Sequence, residues 1–415
     1  MPTHSTQSMQ VNGRQYSLPP APVVVICMDG CSDAYLDCAL LRGRMPHLQR
    51  IVLEGFRGQA RAALPSFTNV NNASIITGVP PAMHGISGNF FYDEAIGQEV
   101  MMNSADYLRA QTIVAAASEA GRNVAVITAK EKLRDILSHR LWGIAFSAEK
   151  ANLATRKTHG IENVESLVGH PAPAIYSADA SLYVLRAGAA LLQLGRADFL
   201  YLSLTDYIQH KWAPEEPAAL DFMAAIDVEL GKLLECGALI GATADHGMNS
   251  KQTPWGEPNV VYIETLLTNQ FGPGFRVILP ITDPYVVHHG ALGSFAIVHV
   301  PATASKTAVR DYLSQMDEIT EVYDRKTAAR KLELPSDRIG DIVLMSRRDV
   351  TIGRTTEYHD LSVLNGKLRS HGGRYEEMVP FILSRPLNPE YALKAQADPR
   401  NFDIFEFVLN GIAVK

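Results

Sequence analysis

Residues 23–30 read VVVICMDG. Val23 to Met28 is apolar throughout and rich in β-branched residues, which is how a strand covered on both faces reads. Asp29-Gly30 closes it as a turn. The same signature returns in VAVIT at 124–128, FLYLSL at 199–204 and ALIGATA at 238–244. Helix-like periodicity lies between these runs, around 48–53 and 107–119. Strands alternating with helices predict an α/β fold with a mainly parallel central sheet flanked by helices.

The pattern changes after Gly247. Residues 251–365 are turn-rich, with short elements (FGPGFRVILP, GSFAIVHVP) and a helical stretch near 307–316. We expect an inserted α+β cap at 251–365, on a core formed by 1–250 and 366–415. Core-like sequence resumes with Ser370-His371-Gly372-Gly373 and closes with the helix-like FDIFEFVLNGI. A chain of 415 residues is long for one hydrophobic core, in keeping with that division. At 47% hydrophobic and 20% charged it can offset its ordering entropy, which excludes disorder as its main theme.

A formal charge of −6 argues against a nucleic-acid groove or a membrane surface as partner. It leaves room for a small anion, because a local field can oppose the net charge. The N-terminal residues lack a basic start followed by an apolar run, and no stretch approaches the ~20 apolar residues of a membrane span. A cytoplasmic location is therefore expected, with a homodimer left open. Four cysteines make no disulfide framework, and Cys27 and Cys31 read as core and turn residues. Neither a G-x-G-x-x-G fingerprint nor a Walker A loop is present.

Ligands of open α/β sheets bind beyond the carboxyl ends of the strands. Three predicted strands deliver carboxylates there: Asp29, Asp206 and Asp245. Each alone reads equally well as a turn former or helix cap. Asp206 and His210 are four apart, so on a helix they share one face and can grip one ion. Asp245-His246 can serve two ions, or one ion from a turn. His371 stands among short, flexible residues that permit close backbone approach. Thr68 falls where the loop in LPSFTNVNNASIITG turns into a helix. A hydroxyl there is commonly an N-cap, yet a helix N-terminus also favours anions.

Taken in order, these segments resemble the alkaline phosphatase superfamily across most of the chain. The resemblance rests on Asp29 in MDG, Thr68 in PSFTNVNNASIITG, the HGISGN stretch from His84 to Asn89, Asp206-x-x-x-His210, Asp245-His246-Gly247 and His371-Gly372. It is nearest to the branch of nucleotide pyrophosphatases/phosphodiesterases and C–P-cleaving phosphonoacetate enzymes. The resemblance implies an alkaline-phosphatase-like core and two divalent cations. One would be held by Asp29, Thr68, Asp245 and His246, the other by Asp206, His210 and His371. Zinc is the implied metal, and manganese or iron suits the same N and O donors. Thr68 would be the nucleophile and Asn89 a donor to a phosphoryl oxygen.

Lys130 and Lys132 follow the 124–128 strand as K-x-K. Lysines beyond a strand are ordinarily solvated, but here they lie at the edge where the cations belong. Their spacing resembles the pattern that, with His210, contacts phosphonoacetate. The expected activity is hydrolysis of that small anionic phosphonate to acetate and phosphate through a phosphothreonine. A nucleotide pyrophosphatase/phosphodiesterase is the alternative. A superfamily phosphomutase is disfavoured, because it uses serine and carries its large insert soon after the nucleophile. His288, His289 and Arg276, in the insert, are further candidates to close over a carboxylate.

Overall fold

The segment that opens the sequence reading forms a strand, Val23–Cys27, with every residue buried. It lies in the middle of a seven-stranded sheet. The order is Phe56–Arg61, Met378–Leu383, Leu239–Thr243, Val23–Cys27, Phe199–Ser203, Val124–Thr128, Ile144–Ser147. The last five run parallel, and Met378–Leu383 is antiparallel to both its neighbours. The computed structural model describes residues 7–281, 292–364 and 367–413.

Helices cover both faces. Gly188, in helix Asp179–Gln193, approaches the side chains of Leu200 and Leu202 so closely that a Cβ there would lie 2.9 Å from Leu202. Phe405, in helix Ile404–Asn410, packs on Phe199 and Tyr201 at ring separations of 5.7 and 6.0 Å. Alternate residues of one strand thus meet helices on opposite sides, as the two-residue period of a strand requires. This is the alkaline-phosphatase-like α/β fold.

The predicted strands stand where their apolar runs lie. The helix expected over 107–119 is shorter, because Ala105–Tyr107 is a 3₁₀ turn and the α-helix is Ile113–Glu119. Thr112 sets that start, its hydroxyl accepting from the Ala115 amide at 3.1 Å. Three strands of the sheet lie outside the runs read from the sequence, the four-residue Ile144–Ser147 among them. Phe56–Arg61 (FRGQAR) is a polar edge strand, and Met378–Leu383 carries Pro380 in its interior.

Within 251–365, four strands form an antiparallel sheet in the order Arg276–Ile278, Phe295–His299, Ile342–Ser346, Ile319–Asp324. Val277, Ala296, Val298 and Leu344 pack with Leu267 and Val309 from the helices Ile263–Phe271 and Lys306–Leu313. Ile278, Phe295, Ile297 and Val343 join Ala63, Leu64, Phe67 and Phe90 in a second apolar cluster. That second cluster seats these strands on the loop leading into Thr68. Asn249–Ser250 pairs with Arg369–Ser370, so the chain entering the insert is bonded to the chain leaving it, one residue before His371.

Candidate metal centre and nucleophile

Register decides where the polar side chains emerge. Thr243 pairs with Cys27, Cys27 with Ser203 and Ser203 with Thr128, so four parallel strands end level. Just beyond them come Asp245, Asp29, Asp206 and Lys130, all fully buried. Gly30 lets the first of these turns close. Its φ is +69°, and a Cβ would stand 2.8 Å from the Asp206 Cβ. Its amide donates to Asp245 Oδ1 at 3.2 Å.

Thr68 begins the helix Thr68–Thr77, whose ten residues are all buried. Such a helix must satisfy its own polar groups, and the asparagines do so. Asn72 Nδ2 donates to Thr68 O at 3.1 Å and to Asp245 Oδ2 at 3.3 Å. Asn72 Oδ1 accepts from Tyr201 Oη and Ser203 Oγ, each at 2.8 Å. Asn71 bridges to the backbone of Ala63 and to Asn401. Sequence reasoning passed over Asn72, Tyr201 and Ser203. The available signal was a helix rich in polar residues (TNVNNASIIT) placed where burial is expected, since buried polar groups need partners.

The three histidines are oriented alike. Nδ1 lies 2.8 Å from Gly247 O in His246, 3.0 Å from Arg369 O in His210 and 2.8 Å from Ser66 O in His371. A carbonyl accepts only, which assigns the Nδ1–H tautomer and leaves Nε2 to face the site as a ligand. Gly372 permits the His371 placement, for its φ is +122° and a Cβ would meet the Phe67 ring at 2.3 Å. The His246 and His371 rings stack with centroids 3.5 Å apart.

Two overlapping groups of donors result. Asp206, His210 and His371 form one, and Asp29, Asp206 and His246 the other, with the ligand atoms of each within 4.8 Å of one another. His210 Nε2 is 2.9 Å from Asp206 Oδ2, and His246 Nε2 is 3.3 Å from Asp29 Oδ1. Asp245 Oδ2 is 3.7 Å from His246 Nε2, and Thr68 Oγ1 is 3.4 Å from the same nitrogen. Asp206 therefore stands between both groups, where the sequence reading assigned it to one.

These donors fit cations. Asp29 Oδ1 and Asp206 Oδ2 are buried with no hydrogen-bond donor among the described residues. Each faces a histidine nitrogen that, in the Nδ1–H tautomer, presents a lone pair. Acceptors converging in a buried space call for a positive charge between them. Without a cation, protons take up that role. Burial, then Asp29, raises Asp245 to about 8. Burial works against a charged His246, but the Asp245 and Asp29 carboxylates prevail and raise it to about 9. Burial, then the neighbouring His246 and His210, pushes His371 well down. Burial opposes ionisation of Asp206, yet Lys130 and His210 outweigh it and hold the acid well below its ordinary value.

Lys130 occupies the other side of the carboxylates. Its Nζ is 2.8 Å from Asp29 Oδ2 and 2.8 Å from Asp206 Oδ1. The oxygens it takes are not those facing the histidines. Lys132 lies in the first turn of helix Glu131–Leu137 and is partly exposed. Asn89 is buried beside the helix Thr68–Thr77, its Oδ1 3.4 Å from the Asn69 amide. Arg276 is engaged away from the cluster, over the Tyr92 ring at 4.2 Å and 3.5 Å from Glu99. His288 and His289 lie outside the described residues. Cys27 and Cys31 are buried free thiols.

The chain belongs to the type I phosphodiesterase/nucleotide pyrophosphatase family, with residues 23–374 matching the family pattern. Within that class it is similar to phosphonoacetate hydrolase from Sinorhizobium meliloti 1021. Identity is 46% over 99% of this chain and 100% of that one, and the TM-score is 0.93 for the complex with phosphonoformate. The complex of the same enzyme with phosphonoacetate gives 0.92. Murine ectonucleotide pyrophosphatase/phosphodiesterase 5, at 16% identity and a TM-score of 0.64 over 95% of this chain, shares the fold.

Proposed function

We propose that this chain hydrolyses the carbon–phosphorus bond of phosphonoacetate, yielding acetate and phosphate. The observation that carries the reading is near full-length similarity, at 46% identity, to a phosphonoacetate hydrolase. It is joined to a buried Asp/His cluster placed against a helix-terminal threonine. Asp206, His210 and His371 would hold one divalent cation, and Asp29, Asp245, His246 and Thr68 a second. Zinc is the metal the family resemblance implies, and manganese or iron suits the same N and O donors. Bound there, such cations supply Lewis acidity and lower the pKa of a coordinated hydroxyl.

The protein's own residues do the remaining work. Thr68 Oγ1, at the start of its helix, attacks phosphorus, so a P–O bond forms as the P–C bond breaks. The electron pair of the broken bond passes into the substrate carboxylate as an enediolate-like species, which takes up a proton to become acetate. Water then cleaves the phosphothreonine and releases phosphate. With Asn89 Oδ1 turned to the Asn69 amide, its Nδ2 is the group that donates to a phosphoryl oxygen. Lys130 and Lys132 receive the substrate carboxylate and stabilise its growing charge, more in the transition state than in the ground state. Neutralised carboxylates at Asp29 and Asp206 would release the Lys130 ammonium for that role. Residues 251–365 act as a cap that limits water at the site.

Phosphate and acetate release from phosphonoacetate, beside turnover of a nitrophenyl phosphodiester, tests this directly. Membership in the phosphodiesterase family makes the diester the relevant competitor. Robust diester turnover without C–P cleavage overturns the proposal. Thr68→Ala should lose about 10³-fold or more in kcat, with the fold retained by circular dichroism. Undiminished hydrolysis by that variant removes Thr68 from the chemistry.

A further inference from the structure

The turn that carries Asn89 has little secondary structure of its own, and its position is set from two sides. From the core, His84 is fully buried, with Nε2 2.8 Å from Ser74 Oγ in the helix Thr68–Thr77. Its Nδ1 accepts from the Ile86 amide at 3.1 Å, which folds the turn back on itself. From the insert comes Arg338, at the end of the 3₁₀ turn Ser336–Arg338. Its Nη1 donates to Gly85 O at 2.6 Å and to Tyr107 O at 2.7 Å. Its guanidinium lies 5.7 Å from the Phe91 ring centre and 5.5 Å from that of Tyr107. Ser87 Oγ donates back to Arg338 O at 3.1 Å. The approach is close, since a Cβ on Gly85 would stand 2.9 Å from Arg338 Nη1.

No carboxylate pairs with Arg338 among the described residues; its neighbour Asp337 binds Arg109 instead. A guanidinium spent on two backbone carbonyls, beside two aromatic rings that touch each other, fixes backbone position with a rigid planar donor. Downstream, the Asn89 amide donates to Pro280 O at 2.9 Å, a second tie to the insert. A turn gripped this way leaves Asn89 little freedom, and small displacements of such a donor are costly to rate.

We propose that Arg338 is a positioning residue: from the insert, it sets the backbone of the 84–89 turn and thereby the Asn89 side-chain Nδ2 that meets the phosphoryl group. This rests on the assignment of Asn89 as a phosphoryl donor. It adds that the insert helps build the phosphoryl site through a residue that touches no substrate.

A double-mutant cycle on the metal-loaded, full-length enzyme tests it. Arg338→Met, Asn89→Ala and the double variant are assayed for kcat and KM on phosphonoacetate, with bound metal and melting temperature measured alongside. Each single variant should lose about 10- to 100-fold in kcat/KM, with metal content unchanged. The double variant should be no worse than Asn89→Ala alone. Arg338→Lys, which keeps the charge but not the planar fork, should fall between wild type and Arg338→Met, and it serves as the probe should the methionine variant melt below assay temperature. Losses that multiply in the double variant overturn the proposal, as does wild-type kcat/KM in Arg338→Met. A normal Asn89→Ala enzyme overturns both this inference and the donor assignment beneath it, whereas an Asn89→Ala loss with Arg338→Met unaffected sinks the inference alone.

Discussion

Lys130 places one fully buried ammonium between Asp29 and Asp206, at 2.8 Å from each. In the metal-free chain it offsets carboxylates that would otherwise repel one another in a dry space. Lys130→Met should therefore destabilise the metal-free protein by about 3–5 kcal/mol, and the metal-loaded protein by much less. Paired melting curves with chelator and with excess zinc check this, and equal losses in the two conditions would contradict it. The histidine and carboxylate shifts lead to a pH dependence. His246 is raised from 6.5 to about 9, so the folded metal-free state holds that proton more tightly than the unfolded chain. The stability it contributes is complete below 6.5 and lost as pH rises through about 9. Asp245, raised from 3.8 to about 8, acts in the same direction over a lower window. Calorimetry in chelator should find the melting temperature falling from about pH 6.5 to about pH 9; below that range the lowered His371 and His84 act in the opposite direction. Cation binding releases these protons, so metal affinity should climb over the same interval. At this scale the sequence was informative about acids at strand ends. It could not tell that Lys130 turns inward onto Asp29 and Asp206, because that contact joins residues 101 and 76 positions apart.

At the scale of elements, the helix Thr68–Thr77 joins Thr68, the proposed nucleophile, to Asp245, a proposed metal ligand, through Asn72. Asn72→Ala would leave Tyr201, Ser203 and Asp245 without a shared partner, costing about 1–3 kcal/mol of stability. Loss of an outer partner of this kind should also weaken metal binding by about tenfold or more, measured by titration with a chromophoric chelator. Unchanged affinity would make Asn72 a packing residue only. The strand-to-turn units were readable, since VVVICMDG and its counterparts combine a two-sided apolar run with a polar stop. Phe56–Arg61 was not, because a polar edge strand has no apolar pattern to read, and it is found through its pairing with Met378–Leu383. The shorter helix at Ile113–Glu119 has a similar cause: Leu108 is apolar because it packs with Ile86 and Phe91, not because it continues a helical stripe.

Across the whole molecule, the chain entering residues 251–365 and the chain after them meet at a fully buried ion pair, Lys251 Nζ to Glu376 Oε1 at 2.9 Å. Glu376 also accepts from the Gly373 amide through Oε2 at 3.1 Å and from the Gly247 amide through its carbonyl at 2.7 Å. One residue thus ties the loops behind His371 and His246. Glu376→Gln leaves the Lys251 charge buried and should cost about 3 kcal/mol or more, read by chemical denaturation. A loss within the range of surface substitutions would mean that the ammonium finds another acceptor. Among the described residues no helix is long and apolar enough to cross a membrane. The sequence by itself determined the α/β alternation and the order of ligand-bearing segments, because hydrophobic period and turn chemistry are local properties. Only the tertiary structure decided that Asp206 stands between both donor groups, that Lys130 faces inward and that the insert grips the Asn89 turn. Those facts depend on strand register and on contacts between distant segments, which no local pattern encodes.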